Sequence, residues 1–506
     1  MDTESEGHHP PGMDDEESVE PGPLAATVGR GALISAMTLG LTQVISFVST
    51  IWLARLLTPS EVGIYTAATV LSAVFLTVSD GGLRLALIQR ERDIDDAADT
   101  VFWATAAVGL CSSIAALATA PVLGYIFHND LVAAVAMSTS GLLLLSSLTH
   151  VPDGLMQRRF NFLRRLVVDP SRAIAYSAVA IALAAAGFGV WSMVLGQYAA
   201  VVVWLIGSWT LGRWRPGRGR PSLRMWRELA RFAYPLAISN LVVYARETAE
   251  ITIVGRVLGQ AALGNYRYGT RLGMLPGNAA FEIGGYVLFP AFSRLAADTY
   301  RLQAAFLRAL RWVWFAAAPV AALVISLGEQ AVVLVLGQRW HDAGLLLVAL
   351  SGAGLGLALQ AVANDAIKAV GRNSLLNWTS AIEILLGIGL VLTLLPLGLV
   401  GVGLAISTTE IVSALVVLAF ARSIIGFRFK PILRMLTPPA ISAGVALGAV
   451  AMLIHIFGSP VTLPTTTGLG ALTALTLFLM FVYLATLAVL DRSYISTLLS
   501  RLTSRS

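Results

Sequence analysis

The feature that most constrains this chain is the recurrence, from Gly31 onward, of apolar runs long enough to cross a lipid bilayer. A hydrocarbon core is about 30 Å thick, so about 20 helical residues span it. Because no water reaches that core, each backbone polar group must be satisfied within the segment, and a helix does this. With 56% hydrophobic and 13% charged residues and a mean hydropathy of +0.75, the sequence predicts an all-α integral membrane protein.

The breaks between the apolar runs predict about 14 transmembrane helices. Most breaks are clusters of charge, proline or glycine, and the least distinct are Gly187 and the Pro276-Gly277 pair. The predicted spans are 31–53, 61–80, 100–124, 131–151, 170–186, 188–211, 232–256, 262–290, 311–330, 343–363, 376–396, 400–421, 437–457 and 466–490.

A short pattern occurs twice, which indicates two similar halves. Arginine, then glycine eight positions later, then tyrosine two positions further, begins at Arg55 and again at Arg256, an offset of 201 residues. We therefore predict two six-helix lobes as a parallel internal repeat, followed by a C-terminal helix pair. The predicted parts are a disordered acidic cytoplasmic tail (1–30), an N-lobe (31–211), a basic cytoplasmic linker (212–231), a C-lobe (232–421), the helix pair (437–490) and a cytoplasmic tail (491–506).

Basic residues concentrate in every second loop, as the positive-inside rule requires. The other loops hold only Arg55, Arg256, Arg267 and Arg339. The alternation predicts that both termini are cytoplasmic. It also accounts for the net charge of +6 without a nucleic-acid partner. Because the histidines are scattered and Cys111 is the single cysteine, we expect no disulfide and no metal site.

Three charged residues lie inside the seventh predicted span: Arg246, Glu247 and Glu250. At 1.5 Å per residue, Arg246 lies about 20 Å along a helix from Phe232, deep in the membrane. Charge at that depth is expensive and indicates a functional site. Arg246 and Glu250 are four residues apart on one helix face, so they either form a neutral structural pair or bind substrate together. The sequence leaves both interpretations open.

Further charged residues fall within or at the ends of later spans. Arg271 has no acidic residue at helical spacing before it, so it is a candidate ligand for a phosphate or carboxylate. Glu282, Glu383, Glu410 and Asp365 are candidates for coupling to a proton or sodium gradient, and each is equally compatible with an interhelical hydrogen bond.

The ordered set of sequence segments resembles Wzx-type polysaccharide-transporter flippases of the multidrug/oligosaccharidyl-lipid/polysaccharide (MOP) superfamily. The resemblance extends from Gly31 to about Phe429. The segments that carry it are ARLLTPSEVGIYTAA (54–68), DGGLRLALIQRERD (80–93), QRRFNFLRRL (157–166), GVWSMVLGQ (189–197), ARETAEITIVGRVLGQAALGNYRYGTRL (245–272), LFPAFSRL (288–295), LGQRWHDAG (336–344) and LPLGLVGVGLA (395–405).

The resemblance implies a function in the export of surface polysaccharide such as exopolysaccharide or lipopolysaccharide. A flippase of this family, in the bacterial inner (plasma) membrane, moves polyprenyl-pyrophosphate-linked oligosaccharide to the outer leaflet by alternating access. Its cavity is often cationic, which implies roles for Arg246 and Arg271, and a polar residue usually stands at Glu250. Glu247 departs from the family pattern and lowers the local positive charge. The implied partners are the lipid-linked oligosaccharide, membrane lipids, a polysaccharide polymerase and a chain-length regulator, with no cofactor beyond a proton or sodium gradient.

Two other classes of protein compete with this interpretation. A cation-coupled drug or metabolite antiporter would share the acidic groups in the spans, although the loop after span two lacks the Gly-x-x-x-Asp-Arg-x-Gly pattern of the major facilitator type. An integral membrane glycosyltransferase or polymerase would need a large extracytoplasmic loop with catalytic acids. The loops predicted on that side are all short, so we do not expect an enzyme.

Overall fold

The computed structural model describes residues 23–158 and 162–491, and the regular secondary structure in these residues is helical. Its α-helices are α1 (Pro23–Leu56), α2 (Pro59–Ala68), α3 (Ser72–Asp80), α4 (Leu83–Gln89), α5 (Ile94–Phe127), α6 (Asp130–Thr139), α7 (Gly141–Ser147), α8 (His150–Arg158), α9 (Phe162–Ala185), α10 (Val190–Gly212), α11 (Leu223–Gly273), α12 (Leu275–Leu295), α13 (Thr299–Leu336), α14 (His341–Ala349), α15 (Ser351–Ala369), α16 (Ser374–Leu394), α17 (Gly398–Ile425), α18 (Phe429–Phe457) and α19 (Thr465–Leu490).

Many of these helices have the length and composition of membrane spans. In the described residues, 9 segments are long and apolar enough to cross a membrane, or 10 if the bent pair Gln338–Ala349 and Ser351–Ala369 forms one span. The prediction of an all-α, multi-pass membrane protein is thereby confirmed. The count of about 14 spans stays a prediction. One counted segment, Ser374–Ile425, contains both α16 and α17.

Local sequence signals explain several helix starts. At the start of α2, the Thr58 backbone N–H donates to Glu61 Oε2 at 2.7 Å, and the Glu61 N–H donates to Thr58 Oγ1 at 3.3 Å, which forms a capping box. At the start of α13, Asp298 Oδ1 accepts from the Arg301 N–H at 3.0 Å. These side chains satisfy backbone donors that have no partner within the first helical turn.

The longest helix, α11, differs from the predicted pattern at its start and agrees with it in the middle. It begins at Leu223, inside the stretch predicted as linker, just as α1 begins at Pro23, inside the predicted tail. Gly259 interrupts α11 with φ 86° and ψ 175°, backbone angles that favour glycine. This break falls between the seventh and eighth predicted spans, whose charged residues therefore lie on two differently directed segments.

The basic segment before α11 (213–222) is hydrogen-bonded to α5. The backbone N–H groups of Gly217 and Gly219 donate to Asp99 Oδ2 at 3.0 and 2.6 Å. Trp214 is 1% exposed, and its ring centroid lies 5.4 Å from that of Phe102. Since a fully buried carboxylate and a buried indole hold this segment, it is packed against the first half of the chain rather than free between the halves.

The largest buried cluster joins residues of the two halves near one end of the helices. The largest cluster includes Val62 and Phe127 from the first half and Leu346 and Val402 from the second, near the ends of α1 and α5. At the opposite end, the described residues form separate clusters. One packs α4, α5, α8 and the start of α11, and the other packs α12, α13, α15 and α17. The shared core is at the end that the distribution of basic residues predicts to face outward.

Candidate functional site

A polar cavity of about 450 Å³ lies between α2, α11, α12, α15, α16 and α17. It collects charged residues from helices that are otherwise apolar, which is the arrangement expected when intramembrane charge faces a protein interior. The lining residues are Thr66, Arg246, Glu247, Glu250, Ile251, Tyr266, Arg267, Thr270, Arg271, Met274, Asn278, Leu357, Gly387, Ile406, Thr409 and Glu410.

Arg246 lies between two carboxylates in this cavity. Its Nε is 3.8 Å from Glu250 Oε1 on the same helix, and its Nη1 is 3.8 Å from Glu410 Oε1 on α17. The Tyr266 hydroxyl donates to the other oxygen of Glu250 at 3.2 Å. The pairing that the helical spacing allowed is therefore present, and a second, long-range partner accompanies it.

Glu410 is held from the side of α15 as well. Gln360 Nε2 donates to Glu410 Oε2 at 2.8 Å and to the Glu410 backbone carbonyl at 3.1 Å. Glu383 of α16 does not line the cavity, but it lies within electrostatic range of both Arg246 and Glu410. Arg246, Glu250 and Glu410 thus form one charged group with Glu383 beside it, and we call the three residues that line the cavity its paired side.

Arg267 and Arg271 have different surroundings. They are four residues apart on the segment of α11 that follows Gly259, so they share one helix face. In the described residues, neither forms an ion pair with a carboxylate within 4.0 Å. The phenol of Tyr176 on α9 lies within electrostatic range of both. We call Arg267 and Arg271 the open side of the cavity.

The other predicted site residues differ in where they lie relative to the cavity. Glu247 lines it and is exposed. Glu282 is exposed on α12 and does not line it. Asp365 is buried on α15, outside the lining, and its Oδ1 lies 3.6 Å from Lys368 Nζ. A Cβ added at Gly284 on α12 would lie 2.9 Å from the Asp365 carboxylate, so Asp365 contributes to the packing of α12 on α15.

Arg55 and Arg256, the residues predicted at repeat-related helix ends, lie at contacts between the halves. Arg55 donates from Nε to the Val335 carbonyl at 2.8 Å. Arg256 donates from Nη1 to the Ile126 carbonyl at 2.5 Å. Each arginine thereby binds free carbonyl groups near the C-terminal end of a long helix in the other half, which is a favourable position for a cation.

Sequence reasoning missed three residues of the site. Arg267 was counted among the loop charges that report topology, although its spacing from Arg271 places both on one face. Tyr266 is the tyrosine of the repeated pattern that begins at Arg256, but that pattern gave no sign of a site role, and Gln360 had no signal of its own, because a single polar side chain in a span is compatible with many environments. The available clue was the spacing of four residues between Arg267 and Arg271, which indicates that Arg267 shares the helix face of Arg271.

Comparison with known proteins gives relatives and structural neighbours. A protein-family model described as "Polysaccharide biosynthesis protein" matches residues 52–344. The succinoglycan biosynthesis transport protein ExoT of Rhizobium meliloti is 24% identical over 71% of this chain and 72% of its own length. The lipopolysaccharide biosynthesis protein WzxC of Escherichia coli is 22% identical over 62% of this chain and 64% of its own length.

Solved structures share the fold at low sequence identity. The lipid II flippase MurJ, in an inward closed conformation, has a TM-score of 0.71 at 15% identity and covers 92% of this chain and 100% of its own. A multidrug resistance MATE family transporter of the MOP superfamily has a TM-score of 0.63 in its inward-facing conformation, at 16% identity, covering 76% of this chain and 94% of its own. The outward-facing conformation of such a transporter gives 0.52, also at 16% identity, with coverage of 80% and 96%.

Proposed function

The chain belongs to the polysaccharide biosynthesis protein family, and we propose that it is a flippase that moves polyprenyl-pyrophosphate-linked oligosaccharide from the cytoplasmic to the outer leaflet. Its relatives and structural neighbours confirm the resemblance to the MOP superfamily and the prediction of a membrane transporter rather than an enzyme. The bacterial inner membrane is the proposed location, with both termini in the cytoplasm.

The observation that carries this proposal is the pair of arginines on the open side. Two guanidinium groups line the cavity without a carboxylate partner in the described residues, and an uncompensated cation in the membrane interior is costly. An anionic ligand would remove that cost. Guanidinium groups bind phosphate oxygens in a two-pronged geometry, and charge-assisted hydrogen bonds are the strong ones. Arg267 and Arg271 would therefore hold the pyrophosphate while the polyprenyl chain stays in the bilayer between the lobes.

Contacts at the predicted outer end support closure on that side. A Cβ at Gly63 would overlap the carbonyl oxygen of Gln260, and a Cβ at Gly264 would overlap that of Pro59. Residues 63 and 264 differ by the repeat offset, and so do residues 59 and 260. Each lobe thus contributes the same glycine and the same approaching carbonyl, as expected for two repeats that meet about a pseudo-two-fold axis.

The arginines at the repeat-related helix ends add to this closure. Arg55 bonds to α13 of the second half, and Arg256 bonds to α5 of the first half. In the proposed cycle, these outer contacts break when the lobes rock and the head group reaches the outer leaflet.

Gly63→Ala tests the proposed outer closure. The added methyl group would prevent the close approach of α2 to Gln260, and overpacking of this kind costs about 1–3 kcal/mol, or roughly tenfold in the population of the closed state. The readout is the rate at which an impermeant maleimide labels Ala54→Cys, a fully buried outer position, in a Cys111→Ser background. We expect labelling about tenfold faster than in the parent.

Gly40→Ala is the matched control for that experiment, because a Cβ there meets nothing within 4 Å. It is expected to leave the labelling rate unchanged. Equal labelling in the Gly63→Ala and Gly40→Ala proteins would contradict a closure that depends on the glycine contacts.

The paired side supplies the candidate groups for ion coupling. A proton or Na⁺ bound to Glu250 or Glu410 would compete with Arg246 for the same oxygens. Arg246 connects α11, which packs on the first half along α2, α3, α4 and α5, to α17 of the second half. Loss of this ion pair would free α11 from α17 within the second half while α11 keeps its contacts with the first half, so an ion gradient would bias the two states through differential affinity.

A cation-coupled antiporter is the second candidate function, favoured by the carboxylates on the paired side. The open side disfavours it, since Arg267 and Arg271 would repel a cationic drug. The same experiment distinguishes the two functions. Purified protein is placed in liposomes containing a short-chain polyprenyl-pyrophosphate oligosaccharide, and an impermeant enzyme reports how fast the sugar reaches the outer surface, with and without a proton or sodium gradient.

A flippase accelerates this exposure over empty liposomes, and hydrophobic cations do not compete. An antiporter leaves the exposure at the rate of empty liposomes. It instead exchanges a hydrophobic cation for the proton or sodium ion that moves down the imposed gradient. The second result, obtained with folded and oriented protein, would overturn the proposed function.

A further inference from the structure

A second charged concavity lies apart from the central cavity. It has a volume of about 520 Å³ and lies where α13, the start of α18 and the end of α19 meet. None of these helices lines the central cavity. The lining residues are Arg311, Arg428, Lys430, Pro431, Arg434, Met435 and Asp491.

The charges of this concavity do not cancel. Among the described residues, Asp491 is the only carboxylate that lines it, and its Oδ2 lies 3.3 Å from Arg311 Nη2. In the described part of the chain, Arg428, Lys430 and Arg434 have no carboxylate within ion-pair distance. Lys430 and Arg434 are also one turn apart on α18, where like charges destabilise a helix. The site therefore carries an excess of about three positive charges that a bound anion would neutralise.

Apolar surface adjoins these cations. Leu433 is 70% exposed and Phe429 is 39% exposed, and both alternate with the basic residues at the start of α18. A free anion would use the cations alone, whereas a phospholipid would place its head group in the concavity and its acyl chains on the apolar side chains. The basic residues also lie on the side predicted to be cytoplasmic, where anionic lipids attract Lys and Arg.

We propose that this concavity binds the phosphate-bearing head group of an anionic phospholipid of the inner leaflet. The lipid would join α18 to α13 by neutralising Arg428, Lys430 and Arg434 beside the Arg311–Asp491 pair. This site is independent of the proposed flippase function, since it shares no lining residue with the central cavity. The helix pair α18 and α19 would thereby be docked on the second half partly through lipid.

Retention of lipid by the purified full-length protein tests the proposal. Delipidated protein is mixed with phosphatidylglycerol, phosphatidylcholine or inorganic phosphate, and bound species are counted by native mass spectrometry. We compare the wild type with the triple variant Arg428→Gln, Lys430→Gln, Arg434→Gln. A basic residue near the membrane surface contributes about 1 kcal/mol toward anionic lipid, so the triple variant should bind phosphatidylglycerol at least about tenfold more weakly.

The matched control is Arg218→Gln, Arg224→Gln, Arg227→Gln, which removes the same charge from exposed positions on the same predicted side. It should retain phosphatidylglycerol like the wild type. The single variants Arg428→Gln and Arg434→Gln, each expected to weaken binding severalfold, keep the test valid if the triple variant does not fold. Equal retention in the triple and control variants would overturn the proposal, and so would tight binding of inorganic phosphate without preference for phosphatidylglycerol.

Discussion

Arg246 and Arg271 line the same cavity, yet their surroundings are opposite. Arg246 has Glu250 and Glu410 at 3.8 Å each, and Tyr266 and Gln360 hold those carboxylates in turn. Arg271 has Arg267 one turn away and no carboxylate partner in the described residues. Within one cavity, the part of the chain that the structure describes thus neutralises one arginine through three helices and leaves two others without counter-charge.

The difference separates a structural role from a binding role. A buried charge is tolerated when partners satisfy it, and removing one partner is costly because the other charge stays buried. Arg246 meets this condition without a ligand, so it serves as a connection between α11 and α17. Arg267 is half-buried and Arg271 is exposed in the cavity, and in the described residues neither has a carboxylate partner, so we expect a bound anion to supply the counter-charge. Under the proposed function, we therefore expect the head group to bind at the open side and the coupling ion at the paired side.

The largest expected effect comes from removing the open side. The double variant Arg267→Gln, Arg271→Gln loses two charge-assisted contacts of about 1.5–3 kcal/mol each, so flipping should slow at least about a hundredfold. Arg301→Gln is the control, because the Arg301 side chain is 75% exposed and pairs with Asp298 at the surface, away from the cavity. If the double variant flips substrate at the rate of the control, the open side does not bind the head group, and the distinction between the open and the paired side is wrong.

A smaller effect, of opposite sign, should follow from removing the counter-charges on the paired side. In Glu250→Gln, Glu410→Gln, Arg246 would become available to an anion, and affinity for a pyrophosphate head group should rise about tenfold. The same variant should lose its response to an ion gradient. Glu282→Gln, at an exposed position outside the cavity, should change neither property. Weaker head-group binding in the double variant would show that the carboxylates position the substrate.

The smallest effect is expected for Tyr266→Phe. It removes one hydrogen bond to Glu250 at 3.2 Å, which contributes about 0.5–1.5 kcal/mol to the free energy of unfolding. A reduced midpoint of thermal unfolding with an unchanged flipping rate would agree with a supporting role for the phenol. A flipping defect as large as that of the open-side variant would instead place Tyr266 in contact with substrate.

The helical, membrane-spanning fold was predictable because hydropathy and run length determine it. The break at Gly259 was also predictable as a gap between two spans. The continuation of α11 from Leu223 into the seventh predicted span was not, because proline, glycine and arginine next to it indicated a linker. Its start packs on the first half, and this tertiary contact leaves no periodic signal in the sequence.

The candidate site was predictable only where helical spacing carried information. Spacing indicated the Arg246–Glu250 pair, and it would have indicated Arg267 beside Arg271. It could not indicate Glu410 as a partner of Arg246, because their helices are far apart in sequence. Nor could it separate Glu410, which lines the cavity, from Asp365, which packs between helices. The proposed coupling roles of these acids stay predictions.

The measurement that tests the central claim most directly is the affinity of purified protein for a short-chain polyprenyl pyrophosphate, by titration calorimetry, with the monophosphate as reference. Arg271→Gln is predicted to weaken pyrophosphate binding about tenfold or more and to reduce its preference over the monophosphate. Arg246→Gln is predicted to keep the affinity within about threefold of the wild type. The reverse order, with Arg246→Gln the more damaging change, would contradict the assignment of the head group to the open side.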